Sequence, residues 1–203
     1  MCVLGPWGDG RLTYSLALYQ ANVRDELIGF QEASTPGRVF YRNAGVSRHR
    51  GLELGAGVSI VEGLTLQGSW TWSDFRYVNY VTGAHVLDGR EVPGIPPQWV
   101  DVVLRARPHF ARGGWADVEL SHSGSYLVDD TLNTRTTEWT AVALRAGWTG
   151  LAGGSRLSPF VGVNNLFDRR YVSSVVINAA GGRYYEPAPG RVLYVGVGLG
   201  VGR

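Results

Sequence analysis

A single cysteine in 203 residues excludes an internal disulfide, and Cys2 fits no metal-ligand spacing. Charged residues are scarce, 18% of the chain against about 25% in ordinary soluble domains. The net charge of +2 comes from dispersed arginines. No basic run forms a phosphate-binding stripe, so nucleic acid is not an expected partner. No segment approaches the roughly 18 uninterrupted apolar residues of a membrane helix. The opening "MCVLGPWGDG" has neither the basic nor the apolar region of a secretory signal. Helical periodicity is also missing. So are a G-x-S-x-G elbow, a Walker loop, a dinucleotide fingerprint and an H-x-x-x-H pair; His49, His85, His109 and His122 are scattered. Enzyme chemistry, a cofactor and a bound metal are therefore not expected.

What is abundant is glycine (29 residues), tryptophan (7) and tyrosine (10), with 44% hydrophobic residues. That mixture suits a β protein that meets an interface. Period-two alternation runs through nearly the whole chain. In "LTLQGSWTW", Leu64, Leu66, Trp70 and Trp72 share a face with Gly68, opposite Thr65, Gln67, Ser69 and Thr71. In "GLELGAGVSI", Leu52, Leu54, Ala56, Val58 and Ile60 oppose Glu53, Gly55, Gly57 and Ser59. The same holds for "VDVVLRAR", "WADVELS", "TAVALRAGW" and the last strand, "LYVGVGLGVG". The meander begins at "LTYSLALYQ". Successive side chains point to opposite faces, so each strand has one apolar and one wet side.

Half-buried strands of a soluble sandwich, acting as a binding or adhesion module, also alternate. Two features favour a membrane wall instead. The polar face carries glycine, serine and opposed charges (Glu53, Arg105, Arg107, Asp117, Glu119, Arg145), as a wet lumen would. Those charges either guide a substrate or pair across strands. The connections also alternate in length: tight at 61–63, 111–114 and 151–155, long at 31–38, 79–97, 129–138 and 173–189. The expected fold is all-β: an antiparallel up-and-down transmembrane β-barrel segment of about eight strands. Trp70, Trp72, Trp99, Trp115 and Trp148 lie near strand ends, where an interfacial girdle belongs. "FVGVNNLFDRRYV" (160–172) contains no proline or glycine after Gly162. It reads as one strand whose apolar half crosses the membrane and whose charged half projects beyond it.

On these residues the chain resembles a known family, the C-terminal part of a TonB-dependent outer-membrane receptor of the ferric-siderophore type. "VGVNNLFDRRYV" is similar to the family signature near the end of the barrel, carried here by Asn164, Asn165, Leu166, Phe167, Asp168 and Tyr171. "FYRNAGVSRHRGLELGAGVSIVEGLTLQGSWTWSDFRY", "ALYQANVRDELIGFQ" and "VPGIPPQWV" resemble further family segments in the same order. The resemblance implies a barrel of about 22 strands with a plugged lumen, of which residues 1–203 supply a C-terminal part without the plug or the N-terminal strands; the alternative is a self-contained small outer-membrane barrel that closes on its own strands. It implies a place in the bacterial outer membrane and contact with its lipid. It also implies a ferric siderophore or similar ligand, and coupling to TonB in the intact receptor. Such barrels usually finish on an aromatic residue; here Arg203 stands in phase with Leu199 and Val201.

Two groups of loop residues have the chemistry to contact an anionic iron chelate by stacking or pairing. Tyr77, Tyr80 and Arg90 lie in or beside one long loop, and Arg183, Tyr184 and Tyr185 lie in another. The competing reading is that they order the loops or face lipopolysaccharide. Asp129 and Asp130 form a carboxylate pair that either holds a cation or is solvated turn chemistry.

Overall fold

The computed structural model describes residues 2–7, 11–35, 37–152 and 155–201. In chain order the strands are β1 (Cys2–Trp7), β2 (Leu12–Arg24), β3 (Leu27–Gln31), β4 (Val39–Asn43), β5 (Val46–Val61) and β6 (Leu64–Asn79). They continue with β7 (Val81–Thr82), β8 (His85–Val86), β9 (Gln98–Ala106), β10 (Gly114–Ser123), β11 (Trp139–Trp148) and β12 (Gly150–Ala152). The last are β13 (Ser155–Asn164), β14 (Val172–Val175), β15 (Tyr185–Pro187) and β16 (Val192–Val201). Among the described residues no helix is long and apolar enough to cross a membrane.

The main sheet is an antiparallel meander in the order β1, β2, β5, β6, β9, β10, β11, β13, β16, with β12 prolonging β11 beside β13. The expected eight strands run from β2 onward. The shorter β1 precedes them and was not anticipated, because "CVLGPW" holds a glycine and a proline that mask its strand pattern. β5 and β6 have 16 residues each, well beyond the roughly 9–11 that a tilted strand needs to cross a bilayer. The sheet is open: among the described residues β1 pairs only with β2, and β16 only with β13.

Register puts like against like. Leu54 faces Leu16 on one side and Trp70 on the other; Trp70 then faces Val100. Leu66 faces Leu104, which faces Val118, which faces Leu144, which faces Val163, which faces Leu193. One face of the sheet is therefore apolar across these rows, up to Leu18, Leu52 and Trp72. No second layer covers it: Leu18, Leu54, Val161, Leu193 and Leu199 are exposed, and Val195 is 82% exposed. Every described buried apolar side chain lies instead among the long connections and the adjoining strand ends, all but Leu127 in two clusters. A soluble sandwich would show the reverse, a dry core between stacked sheets, so that alternative is not the fold.

Four expectations are corrected. The run 160–172 is not one strand: β13 stops at Asn164, and Asn165 and Asp168 adopt left-handed backbone (φ 52° each) that turns the chain. Asn and Asp tolerate that region, so neither glycine nor proline is needed to break the strand. The link between β9 and β10 is longer than a tight turn at 111–114. It runs over 107–113 through a 3-10 turn at His109–Ala111 and turns back at Arg112 and Gly113. Trp99 and Trp115 share the phase of Asp101 and Asp117, so they line the polar face, while Trp70, Trp72 and Trp148 belong to the apolar face. The Asp129–Asp130 pair is not a solvated turn; both residues are buried. The 61–63 turn is as expected: Gly63 (φ 79°) sits where an added Cβ would meet the Arg107 carbonyl at 2.4 Å. Residues 153–154 of the 151–155 turn, and Arg203, lie outside the described residues.

Arginine at Leu66 on the apolar face is expected to cost about 2–4 kcal/mol of insertion stability. Arginine at Ser69, on the polar face opposite Asp101, is expected to be tolerated. Comparing vesicle insertion of the two variants reads the orientation of the sheet, and equal loss at both positions contradicts it.

Candidate functional site

All four long connections emerge at one end of the sheet, and one carboxylate ties them together. Asp130 is fully buried. Its Oδ1 accepts from the Tyr77 hydroxyl (2.8 Å), and its Oδ2 accepts from Arg42 Nη2 (2.7 Å), Asn178 Nδ2 (3.0 Å) and the Tyr80 hydroxyl (3.3 Å). Arg42 comes from the β3–β4 hairpin, Tyr77 from the outer end of β6, Tyr80 from the β6–β9 connection and Asn178 from the β13–β16 connection. Arg42 also donates through Nε to the Tyr80 hydroxyl (2.6 Å) and lies over the Phe30 ring at 4.9 Å. Asn178, in left-handed backbone, returns its Oδ1 to the Asp130 N–H (2.8 Å). Its backbone N–H donates to the Val128 carbonyl and its own carbonyl accepts from the Gln31 N–H. A buried charge survives only when so fully satisfied.

Asp129 does the same work locally. Its Oδ1 accepts from the N–H groups of Thr131 and Leu132 and from the Thr131 hydroxyl, each at 2.9 Å, and its Oδ2 accepts from the Tyr184 hydroxyl at 3.0 Å. Burial works against its ionisation, but these four donors outweigh it and hold the carboxyl below the ordinary aspartate value. Burial, reinforced by Asp129, pushes the Tyr184 phenol up to about 12. Burial and then the Asp130 charge raise Tyr77 and Tyr80 as well, with Arg42 opposing the rise at Tyr80.

The two expected loop groups thus converge on adjacent carboxylates rather than on an open surface. Tyr77, Tyr80 and Tyr184 are buried, while Tyr185 and Arg183 are exposed. The Tyr185 hydroxyl donates to the Arg135 carbonyl at 2.8 Å, and half-buried Arg90 donates to the Leu132 carbonyl. Asn178 and Arg42 were not singled out from the sequence. The apolar run Tyr126-Leu127-Val128 directly before the two aspartates is the signal that marks them as buried.

The family-like motif forms a tether. The Asn165 amide donates to the carbonyls of Arg169 (2.8 Å) and Pro189 (3.2 Å) and accepts from the Arg169 N–H (2.9 Å). Asp168 accepts from the Arg191 N–H (2.8 Å), and the Leu166 N–H donates to the Val142 carbonyl (2.8 Å). The motif therefore ends β13 and clamps the chain returning to β16. Asn164 and Phe167 are exposed, and Tyr171 folds over the polar face to stack on Trp139 at 4.4 Å.

Trp139 meets Trp99 edge-on at 5.6 Å, and the three rings wall a recess of about 350 Å³ on the polar face. Its floor is Ser121, Ala141 and Ala143, with Glu119 and Asn164 at the side. Below it, Asp117 is sandwiched between Arg145 (3.0 Å) and Arg105 (3.9 Å), which is the cross-strand pairing alternative for these charges. Arg145 also covers the Trp115 ring at 5.3 Å, and that ring lies where a Cβ on Gly147 would stand, 2.6 Å away. His49 stacks on Phe75 at 4.0 Å and lies 2.9 Å from Ser47 and 3.7 Å from Glu26. Both partners approach the same Nε2, so no nucleophile–base–acid relay is formed. Among the described residues no cluster of His, Cys, Asp or Glu could hold a metal ion.

The family model for the TonB dependent receptor-like β-barrel matches residues 4–166. The siderophore receptor PiuA from Acinetobacter baumannii aligns at 18% identity and TM-score 0.70, over 96% of this chain and 27% of its own. The ferric citrate transporter FecA, in its unliganded form, aligns at 19% and 0.72, over 95% and 29%. The ferric yersiniabactin uptake receptor FyuA from Yersinia pestis aligns at 19% and 0.70, over 92% and 27%. At such identities the likeness is one of fold. The chain spans about a quarter of the length of these structures.

Removing the Asp130 carboxylate as Asp130→Ala strands Arg42 and two phenols, an expected loss of about 3 kcal/mol. It is expected to appear as fast proteolysis of 124–138 and 173–189 with the strands still protected; unchanged cleavage rates contradict the clamp. The pH window follows from the shifted groups. Asp129, lowered from 3.8, contributes fully above that value and less as pH falls below it. Tyr184, raised from 10.0 to about 12, contributes fully below pH 10 and less as pH rises toward 12. The protection factors of the 126–132 amides, exchange relative to the unfolded chain at the same pH, are therefore expected to be flat between those limits and to fall outside them.

Proposed function

The chain belongs to the TonB-dependent receptor-like β-barrel family, and on that premise we propose that it forms wall and outer loops of an outer-membrane receptor. The receptor takes up a ferric siderophore or a similar nutrient, and its work is binding and passage rather than bond chemistry. The open edges at β1 and β16 support a further part of this reading. Lipid does not tolerate unpaired backbone groups, so residues 1–203 act as a C-terminal portion of a larger barrel of about 22 strands. The plug and the remaining strands come from elsewhere in the receptor, and TonB drives the plug.

The observation that carries this reading is one sheet with two opposite faces. Outward, a continuous apolar surface suits lipid. Inward, charged and aromatic side chains line a wet wall, and the recess walled by Trp99, Trp139 and Tyr171 opens on it. Aromatic faces of this kind stack on the flat or apolar parts of a chelate. The exposed Arg183 and Tyr185 at the outer end offer pairing and stacking for an anionic one. The proteins named above as handling siderophores and ferric citrate are consistent with that ligand class.

The test is uptake of ferric chelates by iron-starved cells carrying the intact receptor. Trp139→Ala combined with Tyr171→Ala is expected to lower uptake about tenfold at an unchanged level of receptor in the outer membrane. Uptake of every tried chelate at the parental rate counts against the recess. A chain that is a soluble monomer without detergent, with a cooperative melt, counts against the receptor reading as a whole.

A further inference from the structure

The outward face of β2, β5 and β6 changes character at one level. The last apolar row is Leu18, Leu52 and Trp72, paired side by side. The next row outward is Gln20, Arg50 and Asp74, and the one after it is Asn22, Arg48 and Arg76. Arg24 follows on β2 in the same phase. Rows on one face are separated by two residues, about 6.6 Å. Arg50 therefore stands one such step above the apolar belt and Arg48 two. Barrel strands tilt by about 35–45°, so each step rises only about 5 Å, and the headgroup layer adds roughly 5–7 Å to each side of a hydrocarbon core; Arg50 stands in it, Arg48 reaches back into it, and Arg24, three steps up, stands at its outer margin.

The charges at this level do not cancel. Asp74 is taken by Arg76 at 2.6 Å, and Arg76 also faces Glu91 at 3.9 Å. Among the described residues Arg50 donates only to the neutral Gln20, at 2.8 Å. Arg24 and Arg48 have no ion pair among the described residues, and the Arg48 Nε is shut off from solvent without an acceptor. Guanidinium groups left free beside one another match phosphate oxygens, which accept from their planar forks.

Taking the apolar belt as lipid-facing, as the reading above does, we propose that Arg24, Arg48 and Arg50 form a docking face for the phosphate groups of an anionic glycolipid in the surrounding leaflet. The acyl chains lie on the Leu18, Leu52 and Trp72 rows. The phosphates rise to the arginines, with Gln20 and Asn22 donating beside them. One lipid bound this way spans the belt and the charged rows at once, and so ties the wall to the leaflet below the outer loops.

The intact receptor in detergent is titrated with bisphosphorylated lipid A and with the same lipid stripped of both phosphates. The phosphorylated form is expected to bind tenfold to a hundredfold tighter, from roughly a factor of five for each arginine. The variant Arg24→Ala/Arg48→Ala/Arg50→Ala is expected to lose that preference, and the matching lysine variant to keep most of it. Equal binding of the two lipids by the parent receptor overturns the proposal, with no variant required. So does an alanine variant that keeps the preference, or displacement of the lipid by inorganic phosphate at equal concentration, which would mark a free-phosphate site. Vesicle flotation of the parent receptor separates the two levels. A receptor that inserts but ignores the phosphates overturns the docking face alone; one that does not insert overturns the lipid-facing reading and this proposal with it.

Discussion

The fold rests on a shared phase. Side chains alternate across a strand with a period of two, so a slip of one residue between neighbours would move a whole strand's apolar set to the wet side. No such slip occurs in the apolar rows: Leu66, Leu104, Val118, Leu144, Val163 and Leu193 line up in one row across the sheet from β6 to β16. The backbone groups are satisfied between strands, which is the requirement lipid imposes. Side chains are then free to divide into an outer and an inner population.

That division explains where the buried core sits. On the proposed reading, an apolar face turned to lipid gains nothing from being covered by protein, because acyl chains are as apolar as leucine. The hydrophobic effect in its aqueous form acts only where the chain stands in water. The two clusters around Tyr77 and Tyr80, and around Val128 and Tyr184, are accordingly at the outer end. Asp130 makes a single unit of them. A carboxylate at 0% exposure is costly unless every lone pair is used, and its donors come from three different connections and the end of β6. The loops are thus ordered by polar bonds made inside an apolar shell.

The same economy of contact shows in the 164–171 motif. Asn165 and Asp168 supply both the left-handed turn and the side-chain acceptors that hold the returning segment. Tyr171 is thereby carried over the inner face onto Trp139, where it closes one side of the aromatic recess. A turn that ends a strand and a ring that shapes the polar face are consequences of one short stretch. On the outer face, the step from Trp72 to Arg50 within neighbouring rows draws the upper boundary of the apolar belt.

Alternation determined the eight strands from β2 onward and their two faces, and the spacing between them the long-and-short parity of the connections, because those are properties of residues close in sequence; it missed β1 and carried β13 past its end at Asn164. The family signature at Asn164–Asn165–Leu166–Phe167–Asp168 was legible for the same reason. What it does physically was not, since backbone that turns at an Asn carries no glycine or proline to announce it. Trp99 and Trp115 look like girdle residues by their position along a strand, and only phase relative to the neighbouring strands sends them inward. Asp130 is the clearest case of what the tertiary structure decided. An Asp-Asp pair in a predicted loop reads as solvated, and nothing nearby names Arg42, Tyr77 or Asn178 as partners. Those residues lie 48 to 88 positions away, and burial is a property of what the folded chain brings around a group, not of the group itself.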